Sequence, residues 1–461
     1  MPGPVLSARL RNGLEVRLKQ VHTAPVISSW LWYRVGSRNE RTGRTGISHW
    51  VEHMLFKGTP SFPARELDRA ISRDGGYWNA FTWLDWTTFF STMPADKADL
   101  PMRLEADRMV NSLFDPKEVE SERTVIIAER QGHENEPTFR LSEEVQAAAF
   151  RVHSYHHEIV GDMADLRSIT RDDLYDHYRQ HYRPSNAVLA VAGDFRIGRM
   201  LDRIRELFGP LPRLPQPAVA VREEPPQPGE RRVEVQGPGE TTYMEVVYHA
   251  PAATDPDFVP LAVADSVLAG ASNFNLLGDG LSNKTCRLYR RLVEGELATS
   301  VDAGLSATIN PYLYSISLTL RPGVTPERAL AALDEELDSL LQAPIRAQDL
   351  EKAIKQARAL FAYSSESITN QAYWLGSTEM FADYTWLDSY LDRLSQVTPE
   401  TVLEVVRRGR AQLGFLLPPT PLDAIFELAR LRQNLPRKST FFFPKLLTGL
   451  TVHRIEAGLT D

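Results

Sequence analysis

The chain has 461 residues, 43% of them hydrophobic and 24% charged, with a formal net charge of −8. That length exceeds what one hydrophobic core supports, so two or more domains are expected; the acidic balance argues against phosphate-backbone (nucleic-acid) binding as its main task. No apolar run approaches the roughly 20 residues of a membrane helix, no signal-peptide core is visible before Leu18, and the single cysteine, Cys286, has no internal disulfide partner, so a cytoplasmic setting without membrane attachment is expected.

Strands are expected at Gly13–Lys19 and Pro25–Val35. Next comes His49-Trp50-Val51-Glu52-His53. On a helix, residues four apart share a face, so both imidazoles can reach one ion with Glu52 beside it. A catalytic zinc site uses three protein ligands and leaves one position open, and a neighbouring carboxylate can take a proton from water there. A hairpin-like stretch follows near Trp78–Met93, then several helices to about Tyr182. In one of these, Asp115–Glu134, Asp115 is the expected N-cap and Pro116 opens the helix. Glu122 and Glu129 stand two turns apart on one face, with Val125 and Ile126 close to it. Inward carboxylates need a partner such as a metal with its histidines; the same two also suit the solvated face of a charged helix.

His153 and His157, with His156 and Glu158 beside them, lack a third ligand at a recognisable distance and read as a surface segment. Asn186–Ala192 is β-rich, and the proline-dense run from Gly209 to Gly229 reads as a linker. Beyond it the order restarts: a strand at Thr242–His249, a helix at Pro256–Leu268, strands at Thr299–Ala307 and Tyr312–Leu320, then helices from Pro326. A threonine-capped helix leads to a closing strand in both halves, at Asn186–Ala192 and at Gln412–Leu417, which indicates an internal duplication. The second copy has Pro260–Ser266 where the first has its histidines. Gly270–Gly280 reads as a connector, and the tail holding Phe441-Phe442-Phe443 as a segment that docks on the body or on a partner. The expected division is residues 1–210, a linker 211–232, a homologous second domain 233–418 and a tail 419–461.

Around these residues the chain resembles the pitrilysin and mitochondrial-processing-peptidase family of inverted-motif zinc peptidases, whose signature is His-x-x-Glu-His. The family's third ligand is a glutamate about 76 residues past the second histidine, with another glutamate seven before it; here 129 − 53 = 76 and 129 − 7 = 122, and both positions are glutamate. Its Gly-Gly-x-x-Asn-Ala-x-Thr segment matches Gly75–Thr82, and the tract before the ligand matches Glu122–Glu129. The resemblance implies one Zn2+ per chain on His49, His53 and Glu129, with Glu52 as general base and Glu122 as a catalytic-site carboxylate supporting an imidazole. It implies that Asn79 and Ala80 pair with the substrate backbone. The implied fold is α+β, two homologous α/β-sandwich domains with antiparallel-rich sheets that form half of a clam-shell chamber. The implied function is a zinc-dependent endopeptidase that hydrolyses peptides or unfolded segments by Glu52-assisted attack of zinc-activated water.

One departure stands out. Active relatives carry an arginine and a tyrosine seven apart in the second domain, where this chain has Leu292 and Thr299. The resemblance therefore implies a heterodimer whose homologous partner supplies that pair, or otherwise a homodimer; nearby Tyr289, Arg290 or Arg291 could substitute under a shifted alignment. The competing expectation is a non-catalytic scaffold subunit of the same fold.

Overall fold

The computed structural model describes residues 3–412, apart from 219–220, 273, 275–283 and 343. The first half holds β1 (Val5–Arg9), β2 (Glu15–Gln20), β3 (Val26–Tyr33), β4 (Tyr77–Thr82), β5 (Thr87–Pro94) and β6 (Ala187–Gly193) in one sheet of order β1-β2-β6-β3-β5-β4. All neighbours are antiparallel except β2 and β6. The expected strands are present; β1, for which the alternation is short, was not foreseen.

Period-two alternation divides this sheet between two cores. Ile27, Leu31 and Tyr33 of β3 face one, together with Leu189 and Val191 of β6. Trp30 and Trp32 face the other, with Val188 and Ala190. The helices of this half are α1 (Ile47–Met54), α2 (Ala64–Arg73), α3 (Asp99–Asn111), α4 (Pro116–Glu134), α5 (Phe139–Ala149), α6 (Met163–Ser168), α7 (Arg171–His181) and α8 (Ile197–Phe208); α1, α3, α4, α6, α7 and α8 bury side chains in the first core, while Ile71 of α2 and Ala149 of α5 enter smaller clusters. Asp115 caps α4 by accepting from Lys117 N and Glu118 N, and Thr170 caps α7 in a reciprocal box with Asp173.

No helix or strand interrupts residues 211–242 among those described. The second half then runs β7 (Tyr243–Ala250), α9 (Phe258–Leu268), β8 (Ala298–Leu305), β9 (Tyr312–Leu320), α10 (Pro326–Gln342), α11 (Ala347–Ser364), α12 (Ile368–Phe381), α13 (Trp386–Gln396) and α14 (Pro399–Gln412). Its described strands form a sheet of order β7-β9-β8.

The halves share a core. Helix α12 lies on β3 and β6 of the first sheet, with the Tyr373 ring edge-on to Trp30 and Trp32 at 5.2 and 5.3 Å. The approach needs Gly376, because a Cβ there would stand 2.1 Å from Trp32 Nε1. Arg17 of β2 donates from Nε to Glu379 Oε1 of α12 at 2.6 Å, and both side chains are buried. A second seam centres on buried Asp85, which accepts from Tyr155 Oη at 2.6 Å and from Ile309 N at 2.9 Å.

Two expectations are corrected. His153 and His157 are buried, 3% and 5% exposed, rather than on the surface; His153 Nδ1 accepts from Tyr155 N, so a local cap holds the ring inside. Val125 is exposed and only Ile126 of that pair enters the core, because 100° of helical twist turns Val125 away from the face shared by Glu122 and Ile126. The strand expected at Gln412–Leu417 lies outside the described residues beyond Gln412, as do the tail and most of Gly270–Gly280. No helix among the described residues is long and apolar enough to cross a membrane.

Candidate active site

Helix α1 starts at Gly46, whose φ of +83° belongs to the left-handed region, and a Cβ there would lie 2.4 Å from Val160 O. Glycine has no capping side chain, so the exposed amides of the first turn need another acceptor. Glu40 supplies it: Oε2 accepts from Gly46 N and Oε1 from Ser48 N, each at 2.8 Å. The carboxylate is thereby fixed at the positive end of the helix that carries the motif. Burial pushes the Glu40 pKa from 4.5 up to about 8, against the two backbone hydrogen bonds. A carboxyl raised on folding contributes stability that is complete below its unfolded pKa and is lost as pH rises through the folded value. Glu40→Gln is expected to flatten the decline in unfolding free energy between about pH 5 and 8, read from denaturant midpoints; an unchanged slope would reject this assignment.

The motif side chains converge with α4. His49 Nε2 and His53 Nε2 are 3.2 Å apart, and each stands 3.7 Å from an oxygen of Glu129. These three residues are the one group among the described residues whose histidine, cysteine or carboxylate ligand atoms come within 4.8 Å of one another. Tetrahedral zinc with bonds of about 2.0–2.1 Å has ligand-to-ligand edges of about 3.3–3.4 Å, so the donor set fits that ion in type and spacing. The Glu129 side chain is 35% exposed, which keeps one side of the cluster accessible.

Electrostatics treat the two imidazoles oppositely. Burial, with positive charge on His53 and His133 nearby, pushes the His49 pKa down to about 3, so its ring is neutral at pH 7. Burial acts the same way on His53, but the Glu122 hydrogen bond and the carboxylates of Glu52 and Glu129 outweigh it and raise its pKa. Glu122 Oε1 lies 2.9 Å from His53 Nδ1, which places the ring proton there and turns Nε2 toward the cluster as an acceptor. Lys57, one turn beyond His53, pairs with the other oxygen of Glu122. Glu122 is buried, so it faces inward and the solvated-face alternative is excluded. Glu122→Gln is expected to weaken zinc binding about 10–100-fold in competition with a chelator, since an outer carboxylate orients its imidazole.

Glu52 sits inside this arrangement, buried, with Oε2 accepting from Thr82 Oγ1 at 2.6 Å. Burial pushes its pKa up to about 7, with the Thr82 hydrogen bond opposing. Thr82 ends β4, the outer strand of the first sheet, which packs beside α1. Asn79 is the third residue of that strand and is exposed; its Oδ1 accepts from Ala80 N at 2.9 Å. Two supporting residues, Lys57 and Glu40, escape the sequence reading, and Thr82 enters it only as the last residue of the matched Gly75–Thr82 segment, with no role assigned. Lys57 had a local signal in its four-residue spacing from His53, whereas Glu40 and Thr82 reach their partners only through the fold.

In the second half Leu292 is fully buried in a π-helical turn, Tyr289–Glu294, and joins the shared core. Thr299 is exposed at a register shift between Ala298 and Ser300, and its Oγ1 donates to Thr319 O. Of the nearby candidates, Arg291 pairs with Glu335 on α10. The paired histidines have no counterpart on α9, where Asp265 is buried and accepts from Ser272 Oγ.

Comparison with known proteins agrees with this division of labour. Residues 15–163 match the family model described as insulinase, peptidase family M16, and residues 168–357 match the one described as the peptidase M16 inactive domain. The zinc protease PqqE of Helicobacter pylori is 29% identical over 387 residues, 82% of each chain. A probable mitochondrial-processing peptidase subunit beta of Arabidopsis thaliana is 29% identical over 296 residues, 64% of this chain and 55% of that one. The crystal structure of a protease from Helicobacter pylori superposes with a TM-score of 0.82 at 26% identity, covering 88% of this chain and 96% of that one. A helix bearing the inverted histidine motif, a glutamate brought to it by a second helix and a following half whose α9 lacks paired histidines are thus explained together: the chain belongs to peptidase family M16, the zinc proteases of the pitrilysin and mitochondrial-processing-peptidase type.

Proposed function

We propose that the chain is the catalytic subunit of a zinc-dependent endopeptidase acting on extended peptides or unfolded segments. The convergence of His49, His53 and Glu129 beside a buried glutamate carries this reading. Those three residues would hold one zinc ion, with Glu122 orienting His53. Bound there, zinc supplies Lewis-acid chemistry, making water more acidic and a peptide carbonyl more electrophilic. Glu52 takes a proton from the attacking water as the new C–O bond forms, and delivers it to the amine nitrogen as the C–N bond breaks. Thr82 holds Glu52 in place for both transfers. The outer edge of β4, at Asn79 and Ala80, suits addition of a substrate strand, in which main-chain hydrogen bonds give affinity. A substrate carbonyl there would compete with Asn79 Oδ1 for Ala80 N–H.

We further propose that a homologous partner completes the site as the other half of a closed chamber. Leu292 has no hydrogen to donate and Thr299 is committed to a main-chain carbonyl, while loss of one donor to a developing oxyanion costs about 2.7–4 kcal/mol. The free, buried Cys286 supports a reducing, cytoplasmic setting.

The test is metal analysis with a quenched-peptide assay, on the chain alone and with any co-purifying homologue. About one zinc per chain is expected, with cleavage strongly raised by the partner. Failure to bind zinc at saturation would reject the enzyme in favour of a scaffold subunit. Full activity from the chain alone would reject the heterodimer.

A further inference from the structure

Behind Glu52 lies a buried row of hydroxyls that reaches from the β4–β5 hairpin to α1. Thr82 and Thr87 stand directly opposite each other where β4 pairs with β5, their Oγ1 atoms 3.3 Å apart. Tyr182, which follows α7, has its Oη 3.3 Å from Thr87 Oγ1 and 3.3 Å from the carbonyl oxygen of Ser48, the residue before His49. All three side chains are buried, as is Glu52.

One proton per hydroxyl decides the direction of each bond. Thr82 gives its proton to Glu52 Oε2 at 2.6 Å and Thr87 gives its own to Val35 O at 2.8 Å, both close to the preferred O–H···O length. Neither proton remains for the contact between the two threonines, which is correspondingly long. Tyr182 holds the third proton, placed equally between Ser48 O on α1 and Thr87 Oγ1 on β5 as in a three-centre bond. Burial raises the Tyr182 pKa, so the phenol keeps that proton. Three donors thus meet fixed acceptors, and rotating any one away leaves a buried acceptor unpaired at its desolvation cost.

Packing sets the tyrosine itself. Its ring lies 4.8 Å from that of Tyr33 and 6.1 Å from that of Tyr178, tilted against both, and α7 packs on α1. Thr87 is fixed through its backbone, which pairs with Tyr33 of β3. The row therefore joins the helix carrying His49, Glu52 and His53 to the hairpin whose outer strand carries Asn79, Ala80 and Thr82.

We infer that Thr87 and Tyr182 are positioning residues for the general base: they lock the β4–β5 hairpin onto α1, so that Thr82 always meets Glu52 Oε2 and Oε1 is left for proton transfer. The inference rests on the proposed peptidase mechanism and adds two side chains that act only through Thr82. A carboxylate oxygen that already accepts a charge-assisted hydrogen bond is the less basic of the pair. The proton taken from water accordingly rests on Oε1, from which it passes to the amine.

Steady-state kinetics on a quenched peptide, with zinc content and urea midpoint measured on the same preparations, test this under the conditions in which the native chain cleaves. Thr87→Val is expected to lower kcat about 10-fold at unchanged KM, as for a displacement of a few tenths of an ångström where 1 Å costs about 100-fold. Tyr182→Phe is expected to lower kcat by a smaller factor, again without a change in KM. Zinc stays at about one per chain, and Thr87→Ser, which keeps the hydroxyl, restores kcat. A loss confined to KM, or equal in Thr87→Val and Thr87→Ser, overturns the inference. So does a native kcat in Tyr182→Phe, which decides alone should Thr87→Val fail to fold. If the native chain never cleaves, the peptidase reading falls and this inference with it; if it cleaves and Glu52→Gln does not, that reading stands whatever the hydroxyl variants do.

Discussion

Glu52→Gln is expected to keep zinc and lose cleavage by a factor on the order of 10²–10⁴, the usual contribution of a positioned general base. Glutamine has nearly the same shape and still offers an oxygen to Thr82 Oγ1, which lies 2.6 Å from the native carboxylate. The ligands on α1 and α4 are untouched, so metal content should stay at about one per chain. What glutamine cannot do is accept a proton from water and pass it to a leaving amine. Zinc measured by mass spectrometry and turnover of a quenched peptide, both on the same preparation, decide the matter. A variant that cleaves at the native rate would remove Glu52 from the mechanism; one that also loses its zinc would instead show that Glu52 maintains the metal site.

Arg17→Ala is expected to lower the unfolding free energy by about 3–5 kcal/mol, because it strands a buried carboxylate. Glu379 is 4% exposed at the side chain, and its nearest cation is Arg17 at 2.6 Å; Arg34 approaches only to 3.8 Å. Burial already raises the Glu379 pKa despite the Arg17 hydrogen bond, so removing that partner leaves the larger effect unopposed. Replacing both residues with apolar ones of similar volume should cost much less than either single change, since no orphaned charge remains. Urea unfolding of the two single variants and the double variant provides the comparison. A loss below about 1 kcal/mol for Arg17→Ala would mean that α12 is held by its contacts with Trp30 and Trp32 alone.

Much of the first half was legible because its signals are local. β3 and β6 announce themselves as apolar runs, and α4 by its aspartate cap and following proline. β1 leaves only a weak pattern in the sequence because none of its five residues is buried: three are half-buried and Ser7 and Arg9 are exposed. Burial of His153 could not be read from Phe150 and Tyr155 beside it in sequence, which pack on its ring, because Tyr312 from the second half closes over Tyr155. That Pro260–Ser266 carries no paired histidines was plain from the sequence. That Leu292 belongs to a core shared with the first sheet was not.

By itself the sequence determined the donor types and their spacing: two imidazoles and a carboxylate on one stretch, two more carboxylates seven residues apart on another. Helical periodicity is a local property, and it suffices to put each set on one face. Only the tertiary structure decided that the α4 face meets the α1 face, bringing Glu129 within 3.7 Å of both histidines. It alone placed Thr82 on Glu52, set Glu40 beneath the start of α1, and laid α12 across β3 and β6. These contacts join residues far apart in the chain, and no repeat within a helix or strand encodes which two faces will pack together.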